Sequence, residues 1–159
     1  MSTSSETLSL KSISPSCSTS GQLSTADIDQ AEKAGFRSIL NLRFPSESSV
    51  VEVEPQQVQS KGLIYANTPL SSQEVDPPSL AHALETLAIL PEPVLIHCGA
   101  GQRAGAVGLI AEARIQGWTA EQVAAAATEL GIPTTQPHLR WYIDQLQAGQ
   151  PDPLGGFDL

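Results

Sequence analysis

Residues 94–105 read VLIHCGAGQRAG, and the order of residue types in this stretch sets both a local architecture and a chemistry. Val94, Leu95 and Ile96 form a short apolar run between Pro93 and Gly99, the pattern of a strand buried on both faces. Cys98 then stands at the carboxyl end of that strand. Residues 103–116 are Ala-rich, carry apolar side chains at Val107, Ile110 and Ala111, and are stopped by Gly117, which predicts a helix. The intervening loop is therefore a strand-to-helix turn whose glycines let several backbone N–H groups converge on one spot. With the positive end of a helix dipole and Arg103 added, the loop binds an anion: a thiolate, a tetrahedral oxyanion, or both in succession. A cysteine at a strand end is ordinarily a small buried hydrophobe. Packing alone, however, calls for neither a glycine-rich turn nor an arginine closing it, so Cys98 reads as an ionisable nucleophile.

Toward the amino terminus, Ser24 and Asp27 are spaced as a capping box, and with Gly35 as a stop they predict a helix over residues 25–34. FRSILNLR, with Phe36, Ile39 and Leu42, reads as a strand, residues 45–54 as loop, EPQQVQSKG as a short helix or turn, and LIYANTPL as another strand. Asp76 before Pro77 and Pro78 opens a helix through SLAHALETLAIL. Beyond the 94–105 stretch, Thr119 and Gln122 form a second capping box, and PHLRWYIDQLQ makes a final amphipathic helix. Strands alternate with helices and none is close enough to the next for a hairpin, so the fold class is α/β with a mostly parallel central sheet flanked by helices. In such sheets the site lies beyond the carboxyl ends of the strands, where Cys98 falls. One domain over residues 15–148 is expected, with residues 1–14 and 149–159 polar and flexible.

Eight Lys and Arg against seventeen Asp and Glu give a net charge of −9 over 159 residues. That argues against a nucleic-acid surface and against anionic membranes. Cys17 and Cys98 make no disulfide framework, and with His82, His97 and His138 scattered they make no metal-ligand spacing, so neither metal nor cofactor is expected. The longest apolar runs fall far short of a membrane span, and no secretory core is legible near the amino terminus. A reduced, cytoplasmic setting is the expectation.

From SGQLSTADIDQAEKAGFRSILNLR through GLIYANTPL and VLIHCGAGQR to WTAEQVAAAATELG, about three quarters of the chain resembles the beta-lactamase hydrolase-like phosphatases, a bacterial branch of the cysteine-dependent tyrosine and dual-specificity phosphatases. The resemblance implies a phosphatase-like three-layer α/β fold. It implies Cys98 as the nucleophile that forms a phosphocysteine, Arg103 as the group gripping the phosphoryl oxygens, and a phosphorylated small molecule or phosphoprotein as substrate. The binding loop would be Gly99, Ala100, Gly101, Gln102, Arg103 and Ala104. Two departures stand out. Four residues separate Cys98 from Arg103 instead of the five of classical tyrosine phosphatases, a spacing shared with rhodanese-type sulfurtransferases, whose loop cradles a cysteine persulfide. Ala104 also stands where phosphatases commonly carry a hydroxyl to the thiolate. The lost hydrogen bond is worth roughly 1.5–3 kcal/mol. A persulfide carrier on the same cysteine and a phosphate-binding module without chemistry are thus the alternatives to a phosphatase.

A phosphocysteine route also needs an acid for the leaving oxygen. SSQEVDPP offers Asp76 first and Glu74 second, although Asp76 is equally placed as a helix N-cap. His97 reads as a satisfied core histidine that steadies the loop. Arg43 reads as a solvated strand end, with holding the loop or an acidic partner as the alternative, and Asn41 is open in the same way; His82 and His138 read as helix-surface residues, and Trp118 and Trp141 as packing anchors. As an anion-site residue, Arg103 is not expected in the core. Cys17 is a candidate resolving thiol for oxidised Cys98 if the two approach within about 7 Å.

Overall fold

The computed structural model describes residues 9–47 and 52–155. Within them the chain runs β1 (Lys11–Ser14), β2 (Cys17–Ser20), α1 (Thr25–Lys33), β3 (Ser38–Asn41), α2 (Glu54–Ser60), β4 (Ile64–Asn67), α3 (Pro77–Ile89), β5 (Val94–His97), α4 (Gln102–Gln116), α5 (Ala120–Leu130) and α6 (Pro137–Gln147). Helices α1, α3, α5 and α6 begin where a side chain satisfies their first amides. Ser24 and Thr119 each form a full capping box, and the Asp76 carboxylate accepts from the Ser79 amide at the start of α3. Gly117 and Gly131 end α4 and α5 in the left-handed conformation.

The strands lie in the order β1-β2-β5-β3-β4, parallel except for the β1–β2 pair. Val94 is level with Cys17 on one side and Ser38 on the other, so β2, β3 and β5 end together at Ser20, Asn41 and His97. All four residues of β5 are buried. Leu95 packs with Ile39 under Ile28 of α1 and Val58 of α2, whereas Val94 and Ile96 join Leu40 in the core made with α3, α4, α5 and α6. Alternate side chains thus serve opposite faces, and three layers result, helices on a sheet on helices. This is the α/β arrangement the sequence predicts.

Two expectations fail at the ends of the chain. A hairpin does exist, since β1 returns through Pro15 and Ser16 into β2. Its backbone pairing needs no apolar alternation, and what anchors it is slight: Ile13 packs on the main core and Lys11 Nζ donates to the Leu130 carbonyl at 2.9 Å. Part of the segment expected to be flexible is therefore the edge of the sheet. Near the other end, Leu154 is fully buried and Asp152 accepts from Arg114 at 3.3 Å. One leucine suffices to dock a polar tail. Residues 1–8 and 156–159, which share the expectation of flexibility, lie outside the described residues. Among the described residues no helix is long and apolar enough to cross a membrane.

Candidate active site

The parallel register brings the ends of β2, β3, β4 and β5 to one edge of the sheet, and the loop from Cys98 to Gln102 crosses there into α4. Gly101 is its pivot. At φ +98° it occupies a conformation L side chains rarely adopt, and this turn aims its N–H at the Cys98 sulfur, 3.1 Å away. The Ala104 amide in the first turn of α4 donates to the same sulfur at 3.4 Å. Two backbone donors and a helix N-terminus therefore converge on Cys98, which is 1% exposed. The loop rests on the turn after β2. The Gln22 amide donates to the Gly99 carbonyl at 3.0 Å and the Cys98 amide to the Ser20 carbonyl at 3.3 Å. A Cβ on Gly21 would lie 2.8 Å from that Gly99 oxygen, so the turn tolerates glycine alone without shifting.

Arg103 leaves the first turn of α4 and curls back to the loop, its Nη2 lying 3.4 Å from where a Gly99 Cβ would be. Its Nη1 donates to Glu47 Oε2 at 2.8 Å and to the Leu70 carbonyl at 2.9 Å, and its Nη2 to Glu47 Oε1 at 2.9 Å. A guanidinium has five N–H donors in a plane. The Nε–H and the second Nη2–H, on one shared edge, are not spent on Glu47 or Leu70, and this is the edge that can meet the Cys98 sulfur or an anion over it. The Glu47 hydrogen bonds hold the guanidinium above its ordinary value, and the Cys98 sulfur adds to this. In turn Arg103, more than any other neighbour, holds the Glu47 carboxyl down at about 2. Contrary to expectation, Arg103 is buried and tied to two other segments.

Arg43 departs from expectation in the same way. Instead of a solvated strand end it is buried, with Nε donating to Glu47 Oε1 at 3.1 Å and Nη1 to Gln22 Oε1 at 2.7 Å. Gln22 Nε2 reaches Glu54 Oε1 at 2.8 Å, and Glu54 Oε2 meets His97 Nε2. The chain of contacts runs from Arg103 through Glu47, Arg43, Gln22 and Glu54 to His97, the residue before the thiol. His97 is fully buried and partnered, as a core histidine steadying the loop should be. Asn41 fits the same scheme, its Oδ1 accepting the Arg43 amide and its Nδ2 donating to the Tyr65 hydroxyl.

A cleft of about 80 Å³ opens over Cys98, lined by Ser72, Ala100, Gln102, Arg103 and Gln136. Asp76 is not among the lining residues. It caps α3, one oxygen accepting from the Ser79 amide at 3.3 Å and the other from the Ser79 hydroxyl at 2.8 Å. Glu74 is exposed on the same segment. His138 corrects the surface reading: it is fully buried, and its Nε2 accepts the Asp76 amide at 3.1 Å. Burial pushes its imidazole down to about 4. Cys17 cannot reach Cys98. It pairs with Val94, four residues before Cys98, which sets the two about 13 Å apart along the strand, beyond disulfide range. Among the described residues no three His, Cys, Asp or Glu side chains gather as a metal site.

The structure thus joins Cys98, the Gly99 to Ala104 loop, Arg103 and His97, and adds Gln22, Glu47, Glu54 and Gln136. A signal for the added residues exists in two places. Gly21 and Gln22 sit in the SGQLST stretch that carries the family likeness, and two arginines near the loop of an acidic chain need carboxylate partners.

A strand, a thiol, a tight glycine turn and an arginine-bearing helix form an anion-binding thiol site at the carboxyl edge of an α/β sheet. The model of the beta-lactamase hydrolase-like protein, phosphatase-like domain, matches residues 9–115, and the chain belongs to that family. No curated protein sequence matches this one. Among solved structures it is similar to a DUF442 protein from Shewanella putrefaciens CN-32, described as a candidate phosphatase, with 20% identity, a TM-score of 0.72 and coverage of 89% of this chain and 92% of that one. It is also similar to the core catalytic domain of the PP-IP phosphatase SIW14 from S. cerevisiae in complex with citrate, at 17% identity, TM-score 0.69 and 94% and 93% coverage. A variant of TpbA from P. aeruginosa in complex with pTyr gives 14%, 0.68 and 91% of both chains. At these identities the likeness establishes the phosphatase fold.

Proposed function

We propose that the chain hydrolyses phosphate monoesters through a phosphocysteine at Cys98. The observation that carries this is the convergence of the Gly101 and Ala104 amides on the Cys98 sulfur beside the Arg103 guanidinium, which interacts with that sulfur. The Cys98 thiolate attacks phosphorus, an S–P bond forms as the ester P–O bond breaks, and the leaving oxygen takes a proton. Water then attacks the phosphocysteine, breaking S–P and releasing phosphate and the thiolate. The loop amides and Arg103 stabilise the equatorial oxygens in both steps. In this proposal Asp76 is the acid, exchanging its Ser79 bonds for the ester oxygen while His138 keeps hold of its amide.

Cys98→Ser is expected to lower kcat on an aryl phosphate by at least about 10⁴-fold; activity persisting near the wild-type rate would place the reaction elsewhere. Asp76→Asn separates the two jobs of that residue, because asparagine is as good an N-cap and cannot donate the proton. A wild-type melting temperature with a kcat lowered about 10²-fold on an alkyl phosphate fits an acid, and unchanged kcat removes Asp76 from the reaction. The four-residue spacing favours one second reading, sulfur transfer through a persulfide on Cys98. Thiosulfate treatment followed by intact mass distinguishes it, since a single added sulfur is expected from that reading and an unmodified protein sinks it.

A further inference from the structure

We propose that the substrate is a small hydroxyl-rich phosphate ester bearing a second anionic group, placed with its phosphoryl over Cys98 and its second anion at Lys11 across Ala100. The proposal rests on the phosphatase reading and names the substrate class for the same site.

Two clefts flank the loop, and Ala100, itself exposed, is the ridge they share. The one over Cys98, at about 80 Å³, is far below the roughly 300 Å³ at which pockets enclose a whole ligand. It takes the phosphoryl group and leaves the rest of the ester outside. Its lining is mostly polar, with Ser72, Gln102 and Gln136 beside Cys98 and Arg103. The Gln136 Oε1 is already committed to the amides of His138 and Leu139 at 2.9 Å each, and its Nε2 lies 3.4 Å from His138 Nδ1, which fixes the side chain.

The second cleft, about 220 Å³, lies on the other side of Ala100 and Gly101, against β1, β2 and Gly21. Ser9, Lys11, Thr19 and Ser20 line it. Lys11 Nζ spends one donor on the Leu130 carbonyl, which positions the ammonium, and two N–H groups remain. In a chain of net charge −9, no carboxylate is among the described residues that line the two clefts, and Arg103 and Lys11 are the positive groups there. Among the described residues neither lining contains an aromatic ring to sandwich a phenol. Phe44, 40% exposed on the segment beside Glu47, is outside both. Hydroxyls, amides and a second cation fit a polyol whose other end is phosphorylated.

The test compares kcat/KM for a hexose bisphosphate, the matching hexose monophosphate and a phosphotyrosine peptide, on wild type, Lys11→Ala and Lys11→Arg, with Cys98→Ser as the blank. The bisphosphate is expected to lead the monophosphate about tenfold, a hydrogen-bonded charge pair being worth that much, and the peptide to trail both. Lys11→Ala should bring the two hexose ratios together and Lys11→Arg should restore the gap. A preferred peptide, or a gap that Lys11→Ala leaves intact, overturns the proposal. If no substrate shows Cys98-dependent turnover, the phosphatase reading fails and calorimetric binding of the same two hexose phosphates to Cys98→Ser decides the ligand class. Tighter bisphosphate binding that Lys11→Ala weakens upholds it; equal binding of the two overturns it.

Discussion

The two ends of the central sheet each hold a buried cysteine, and what surrounds them is opposite. At the amino end, Cys17 lines an apolar groove of about 350 Å³ between α3, α4 and the β1–β2 turn, with Leu84, Leu87 and Ala111 among its walls. Burial pushes the Cys17 thiol up to about 12, and the carboxylates of Glu112 and Glu92 push the same way, so it stays protonated at neutral pH. At the carboxyl end, Cys98 lies under a cleft less than a quarter of that size, but two amides donate to its sulfur and Arg103 stands over it. Volume marks the wrong end. Parallel strands explain the asymmetry, since every crossover returns its loop to the same edge and the helix after it presents its N-terminus there.

Removing the planar fork while keeping the charge should erase most of this contrast. Arg103→Lys is expected to lose on the order of 10²-fold in kcat/KM, because an ammonium cannot serve Glu47 and an oxyanion edge-on at once. Because Arg103 also ties Glu47 to Leu70, a lower melting temperature should accompany the kinetic loss, and full activity in Arg103→Lys would refute the edge-on assignment. Glu47→Gln tests the support behind the fork. It keeps the shape and removes the charge that pairs with both arginines, so kcat/KM should fall about tenfold, with kcat affected more than KM.

The stability profile in acid should reflect two groups. His138 has a folded value near 4 against 6.5 when unfolded, so the unfolded chain takes the proton first. Its contribution, about 3 kcal/mol by the size of that shift, is complete above pH 6.5 and lost as the pH falls toward 4. Glu47 contributes above about 4.5 and is lost as the pH falls toward 2. Melting temperatures of His138→Gln should therefore be flatter than wild type between pH 6.5 and 4.5, above the range where Glu47 titrates; parallel curves would contradict the assignment. The smallest effect belongs to the amino end. Cys17→Ser should leave kcat/KM within about twofold, as expected of a thiol that neither reaches nor activates the site. A marked loss would mean that the two ends are coupled.

Much of the catalytic end is legible in residues 94–105 because local chemistry dictates it. An apolar run must be covered on both faces, glycine at 101 permits the left-handed turn, and an arginine in the first turn of the next helix can only curl back over that loop. What stays hidden depends on pairing between distant segments. Glu47 and Glu54 lie in a stretch without periodicity, and their roles depend on where β3 ends relative to β5. His138 looks like a helix-surface residue until α6 is docked, since its partner is the backbone of Asp76, 62 residues away. The β1 hairpin is hidden for a related reason: it is held by main-chain bonds, one isoleucine and the Lys11 ammonium on a backbone carbonyl, and bonds to main chain leave no mark on a polar sequence.

Under the proposed function, the contrast between the two ends comes down to which sulfur carries the phosphoryl group. Rapid mixing with an aryl phosphate, an acid quench within the first turnover, and peptide mass analysis read this directly. One phosphoryl group is expected on the peptide holding Cys98, absent from the Cys17 peptide and absent in Cys98→Ser. Steady turnover by wild type with no phosphoryl group on Cys98 at any quench time, together with undiminished turnover by Cys98→Ser, would contradict a phosphocysteine at the carboxyl end of the sheet.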